Sequence, residues 1–169
     1  MSHFKIVLIL LSAVHFNTFA KDERTQTIDH QVWKPFIESW KLMDAKRQVS
    51  LYTQDVVRVS EKFNSLENGP KYLSNLKSMM QNMSTKGITS EIKLFFNSRL
   101  HRETHAWDSG VYKAVMNHPQ KGKMTQYAEF SVLLKREDGK WKIALDSDKS
   151  ITQQEFEART KSTVDSVSG

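Results

Sequence analysis

The sequence predicts an α+β fold, with N-terminal helices packed on one face of a strongly bent antiparallel sheet. Three observations carry that expectation. Apolar residues recur at three- and four-residue spacing over residues 28–43, and again after Pro70. From Ile88 onward the apolar period falls to two, the period of a strand. Helical segments come first and strands follow in succession, which is the order of a segregated α+β chain rather than of alternating βα units.

The elements follow in order. Val32, Trp33, Phe36, Ile37, Trp40 and Met43 form the apolar face of the first helix. Pro35 falls in the early part of that helix, where a missing N–H is tolerated. Asp44-Ala45 opens a second short helix that ends near Leu51-Tyr52. The β-branched run Val56 to Val59 reads as a short strand. Asn68-Gly69-Pro70 turns into a helix with Tyr72, Leu73, Leu76, Met79, Met80 and Met83 along one stripe, stopped at Gly87. Strands are expected over 91–102, 104–116, 127–135 and 141–147, with Asp138-Gly139 as a hairpin turn. Thr152 and Glu155 have capping-box spacing for a short helix. The Ser-rich stretch 161–169 is expected to fray.

The start of the chain has the pattern of a secretory signal. Lys5 is followed by the apolar run Ile6 to Leu11, and Ala20 precedes the charged run Lys21-Asp22-Glu23-Arg24. The apolar stretch is about ten residues, too short to span a bilayer core of about 30 Å. Residues 1–20 are therefore expected to be removed. That leaves a domain over 21–150 and a tail over 151–169, secreted or periplasmic and without a membrane anchor. The chain has no cysteine, which excludes disulfides, thiolate metal sites and a Cys nucleophile. Net charge is +6, but the basic residues are interleaved with acids, so they read as solvated charge rather than a nucleic-acid surface. No Gly-x-Ser-x-Gly, P-loop or dinucleotide fingerprint occurs, and no cofactor is expected.

Several segments, taken in this order, carry a resemblance. They are Trp33-Lys-Pro-Phe36 with Trp40, Asp44-Ala45, Leu51 to Val59, Phe95 to Arg99, Ala106 to Tyr112, and Asp138-Gly139-Lys140-Trp141-Lys142-Ile143 on to Asp146. Together they resemble the nuclear-transport-factor-two-like superfamily, in its polyketide-cyclase-like (SnoaL-like) branch, over about residues 28–150. The resemblance implies a cone-shaped roll in which a long helix and the bent sheet enclose a pocket open at one end. It also implies a homodimer formed through the outer face of the sheet. In the superfamily that pocket serves isomerases, cyclases, dehydratases, hydrolases and plain binding proteins, so fold alone does not name an activity.

Candidate site residues were sought on the expected pocket wall. Asp55, His101 and Asp146 are the candidate general bases, since an apolar cavity makes a carboxylate or imidazole usable for proton transfer. Trp40, Tyr52, Arg58, Arg99 and Tyr112 are the candidate ligand-binding residues, the arginines as anchors for an anion. An Asp at a position such as Asp55 more often caps a helix or turn, and Arg58 reads also as a solvated strand residue. Strict alternation puts Phe95, Asn97, Arg99, His101 and Glu103 on one strand face, either a polar pocket wall or the solvent side. Asp146 and Asp148 share a face as paired acids or as a polar strand end. His101 and His105 lack a third ligand, and no metal is expected. Three functions stay open: a binding protein for a small hydrophobic or anionic molecule, a cofactor-free isomerase, dehydratase or hydrolase, or a dimeric partner-binding module with its cavity filled.

Overall fold

The computed structural model describes residues 22–168. The expected signal segment, residues 1–20, lies outside them. The chain enters a helix at Glu23, earlier than the apolar pattern indicates. It runs as α1 (Glu23–Ile28), a wide π turn (Asp29–Trp33) and α2 (Lys34–Leu42). Pro35 therefore sits in mid-helix and not in a first turn. Having no N–H, it cannot continue the normal bonding ladder. The preceding turn widens, with the Lys34 N–H reaching back to the Asp29 carbonyl. Ile28, Val32, Trp33 and Ile37 bury one stripe of this helix. It ends at Met43 in the left-handed conformation, and Asp44 caps α3 (Ala45–Ser50) by accepting from the Arg47 N–H at 2.9 Å.

β1 (Tyr52–Ser60) and β2 (Ser65–Asn68) form a hairpin, and α4 (Gly69–Thr85) follows with Pro70 in its first turn. The four central strands are β3 (Thr89–His101), β4 (His105–His118), β5 (Gly122–Glu137) and β6 (Lys140–Ser150). Each is antiparallel to the next. Asp138 and Gly139 both take positive φ at the β5–β6 hairpin, as a tight two-residue turn requires. α5 (Gln153–Thr160) begins with the expected capping box, and β7 (Asp165–Ser168) closes the chain.

The sheet order is β2-β1-β6-β5-β4-β3-β7. Two features differ from the expectation. The sheet is mixed, because β1 lies parallel to β6, with Arg58 opposite Asp146 and Ser60 opposite Asp148. The chain leaves β1, builds α4 and most of the meander, and returns alongside β1 in the same direction. The C-terminal stretch does not fray over residues 165–168. They pair with Lys93 to Phe96 and bury Val167.

A β-bulge at Asn97 decides which face of the sheet Arg99 and His101 take. Phe96 pairs with Gly110, but Ser98 already pairs with Ser109. Gly110 is required there, since a Cβ on it would lie 1.9 Å from the Phe95 carbonyl oxygen. The helical arm and α4 cover the inner face of the sheet. α5 covers part of the outer face, where Phe156 packs on Phe95 and Tyr127 at ring distances of 5.5 and 4.9 Å. Among the described residues, no helix is long and apolar enough to cross a membrane.

Candidate functional site

Between α2, α4 and the inner face of the sheet lies a cavity of about 520 Å³. Phe36, Trp40, Leu76, Ile92 and Phe130 give it apolar walls, and Met79 and Met83 of α4 also border it. It is not plugged. Trp33 reaches its base but is buried against Phe96 and Phe130, at ring distances of 5.5 and 6.0 Å.

One wall is polar, and the parallel β1–β6 pairing builds it. Asp146 and Asp148 point inward from alternate positions of β6, with Arg58 of β1 between them. Arg58 Nη2 lies 2.7 Å from Asp148 Oδ1, and Nη1 lies 3.4 Å from Asp146 Oδ1. Nη1 also donates to the Val59 and Asp146 carbonyls. The Tyr52 hydroxyl donates to Asp146 Oδ2 at 3.1 Å, and the Tyr112 hydroxyl donates to Asp148 Oδ2 at 2.9 Å. Gln48 donates to the Tyr52 oxygen and Gln126 to the Tyr112 oxygen. Ser60 donates to Asp148. The side chains of Arg58, Asp146 and Asp148 keep 17, 17 and 14% exposure.

Burial dominates the electrostatics. It raises the Asp146 pKa above the ordinary carboxylate value, and neighbouring Asp148 adds to the rise, while Arg58 and the Tyr52 bond only partly offset it. Burial also raises the phenols of Tyr52, Tyr72 and Tyr112, so each remains a neutral donor. Burial alone would lower Arg58, but Asp146 and Asp148 more than reverse this and keep it charged.

A second polar cluster lies apart from the cavity lining, at the joint of the helical arm with β3, β4 and β7. Asp108 is fully buried. It accepts from Trp33 Nε1 at 2.7 Å, from Arg99 at 3.2 Å, and pairs with His101 Nε2 at 2.7 Å. Arg99 also holds Asp29 at 2.7 Å and Asp165 at 2.6 Å, and its guanidinium lies 4.2 Å over the Phe96 ring. His101 Nδ1 meets the Thr25 hydroxyl at 3.0 Å. Burial alone would raise the Asp108 pKa, but its contacts with His101 and Arg99 more than reverse this and leave it below the ordinary value.

Of the sequence candidates, the cavity gathers Trp40, Tyr52, Arg58, Tyr112 and Asp146. Three stand elsewhere. Arg99 and His101 do not line it but sit in the buried cluster, and the bulge at Asn97 turns them to the opposite face from Phe95. Asp55 is exposed, and the nearby Thr53 side chain holds its pKa below the ordinary value. Asp148, weighed in the sequence only as a pair with Asp146, completes the wall together with Tyr72 and Gln126, which were not among the candidates. The Asp-Ser-Asp alternation signals Asp148, whereas Tyr72 is masked by a stripe that reads as core. Among the described residues no group of three or more His, Asp or Glu is arranged to hold a metal ion.

No protein-family profile matches the chain, and no curated protein matches it in sequence. Solved structures do match in shape. A ketosteroid isomerase-like protein from Erwinia carotovora has TM-score 0.61 and 13% identity, over 78% of this chain and 98% of its own. A candidate scytalone dehydratase from Novosphingobium aromaticivorans has TM-score 0.62 and 14% identity, over 76% and 85%. An NTF-2-like protein of unknown function from Shewanella oneidensis has TM-score 0.57 and 20% identity, over 74% and 98%. At these identities the likeness establishes a shared fold.

Proposed function

This chain has the α+β cone fold of the nuclear-transport-factor-two-like superfamily, and from that premise we propose that it is an exported protein whose cavity binds a small, largely apolar molecule. The observation that carries the reading is the cavity of about 520 Å³ itself, apolar on most sides with convergent polar groups on one wall. The Lys5, Ile6–Leu11 and Ala20 pattern supports export. Native mass spectrometry of the secreted protein tests both parts: a mature chain beginning at Lys21 and carrying a removable small-molecule mass is the expected result.

The same wall favours a second reading, cofactor-free proton transfer. A carboxylate with a raised pKa in an apolar cavity is a usable base, and Asp146 stands there beside Tyr52 and Tyr112. The ketosteroid isomerase-like and scytalone dehydratase neighbours are named for reactions of this kind. A panel of enolisable ketones and epoxides tests it. Turnover by the wild type should fall at least ~100-fold in Asp146→Asn, and equal rates for the two proteins remove Asp146 from any mechanism.

The homodimer is also a proposal. Val57, Leu145, Leu133, Trp107 and Leu100 stand directly opposite one another across five strands on the outer face. Leu100 is 62% and Trp107 37% exposed, and a second copy of the chain would cover this row.

A further inference from the structure

We infer that the ligand of this cavity carries a cationic, amine-type head on an aromatic or aliphatic body, and not a carboxylate. The inference rests on the binding reading above and names its chemical class. The whole chain is basic, at +6, yet its cavity is not. The charged side chains bordering it are Arg58, Lys62, Glu67, Asp146 and Asp148, two cations against three carboxylates. At the mouth, Lys62 lies 3.4 Å from the Gln126 side-chain oxygen, and Glu67 accepts from Asn75 at 2.8 Å. In the interior, Asp146 and Asp148 face Arg58 alone, so the polar wall holds one negative charge more than it balances.

The cation an anion would need is already engaged. Both Nη atoms of Arg58 are held by the two carboxylates and by the Val59 and Asp146 carbonyls. Arg99, the other expected anchor, is buried among Asp29, Asp108 and Asp165 outside the cavity. The tyrosine hydroxyls point their protons at carboxylates, so they too offer oxygen rather than N–H or O–H to a ligand. An incoming ammonium meets the reverse situation. It finds carboxylate oxygens with lone pairs to spare, and the aromatic rings of Phe36, Trp40, Tyr52 and Tyr72 among the walls of the same cavity. Ring faces attract a cation, and a poorly hydrated wall strengthens every such attraction.

Matched pairs test this directly. Phenyl, naphthyl and indolyl compounds bearing an ethylamine, an ethanol or an acetate side chain are titrated into the protein by calorimetry. The amine of at least one ring system should bind ~10-fold or more tighter than its acetate partner, with the alcohol between. Asp146→Asn and Asp148→Asn, each checked for folding by circular dichroism and melting, should each shrink that ratio about tenfold. If only one variant folds, that one suffices. Acetates that bind as well as the amines overturn the amine assignment while leaving the binding reading in place. An amine preference unchanged in both variants also overturns it, since the carboxylates would then not be its source. No binding by any compound removes the binding reading, and this inference with it.

Discussion

Asp108 and Asp146 are the same residue type placed inward on one sheet, and the fold moves their pKa values in opposite directions. Burial raises both. At Asp108 the His101 and Arg99 contacts overcome it, and at Asp146 the Arg58 and Tyr52 contacts do not. The consequences for stability differ in sign. Asp108 has its folded pKa below the unfolded one, so its contribution is present above the ordinary carboxylate range and is lost as pH falls through the folded value. Asp146 has its folded pKa raised, so its contribution is present in acid and is lost as pH rises through the folded value. Asp108→Asn should cost about 3 kcal/mol at neutral pH, because it leaves Arg99 and Trp33 short of a buried partner. It should also flatten the acid limb of the melting profile. Asp146→Asn should instead flatten the decline between acid and neutral pH. Thermal melts across that range check both. The Asp146/Asp148 face was legible from simple alternation in the sequence. The Arg99/His101 assignment was not, because alternation carries no sign of a bulge.

That bulge is the element on which the buried Arg99 cluster depends. Without the extra residue at Asn97, strict alternation would hold and Arg99 would share a face with Phe95. With it, Arg99 turns inward beneath the helical arm and binds Asp29, Asp108 and Asp165, tying the π turn, β4 and β7 to β3. Gly110 makes the close approach possible. Gly110→Ala forces a methyl against the Phe95 carbonyl and should destabilise by about 3 kcal/mol or more, read as a lower denaturation midpoint, while an unchanged midpoint would mean that the bulge is readily rebuilt. The helices and the meander were legible because long segments kept one apolar period. β2 and β7 were not, being four residues each. A Ser-rich tail gives no period to read, and β7 is held by pairing to β3 and by Asp165 to Arg99. The parallel β1–β6 contact was hidden for another reason. A run of strands in sequence says which are neighbours in the meander but not where an earlier strand returns, and it is this return that brings Arg58 between the two acids.

At the scale of the molecule, the cone has two faces of different character. The inner face is closed by helices and leaves the cavity, while the outer face is partly covered by α5 and leaves the Leu100–Trp107 end of the apolar row exposed. A proposed second copy there would be lost on placing a charge in the row. Trp107→Glu should shift the sedimentation of the protein from dimer to monomer without lowering its melting point, and a wild type that sediments as a monomer removes the proposal. The central claim is that the hollow between the arm and the sheet is a binding site. Amide chemical-shift mapping by NMR, with a library of small aromatic fragments, tests it most directly. Perturbations are expected to concentrate on Tyr52 to Ser60, Tyr112 to Met116 and Asp146 to Asp148. Fragments that leave these amides unmoved, or that perturb only the outer face, would contradict it.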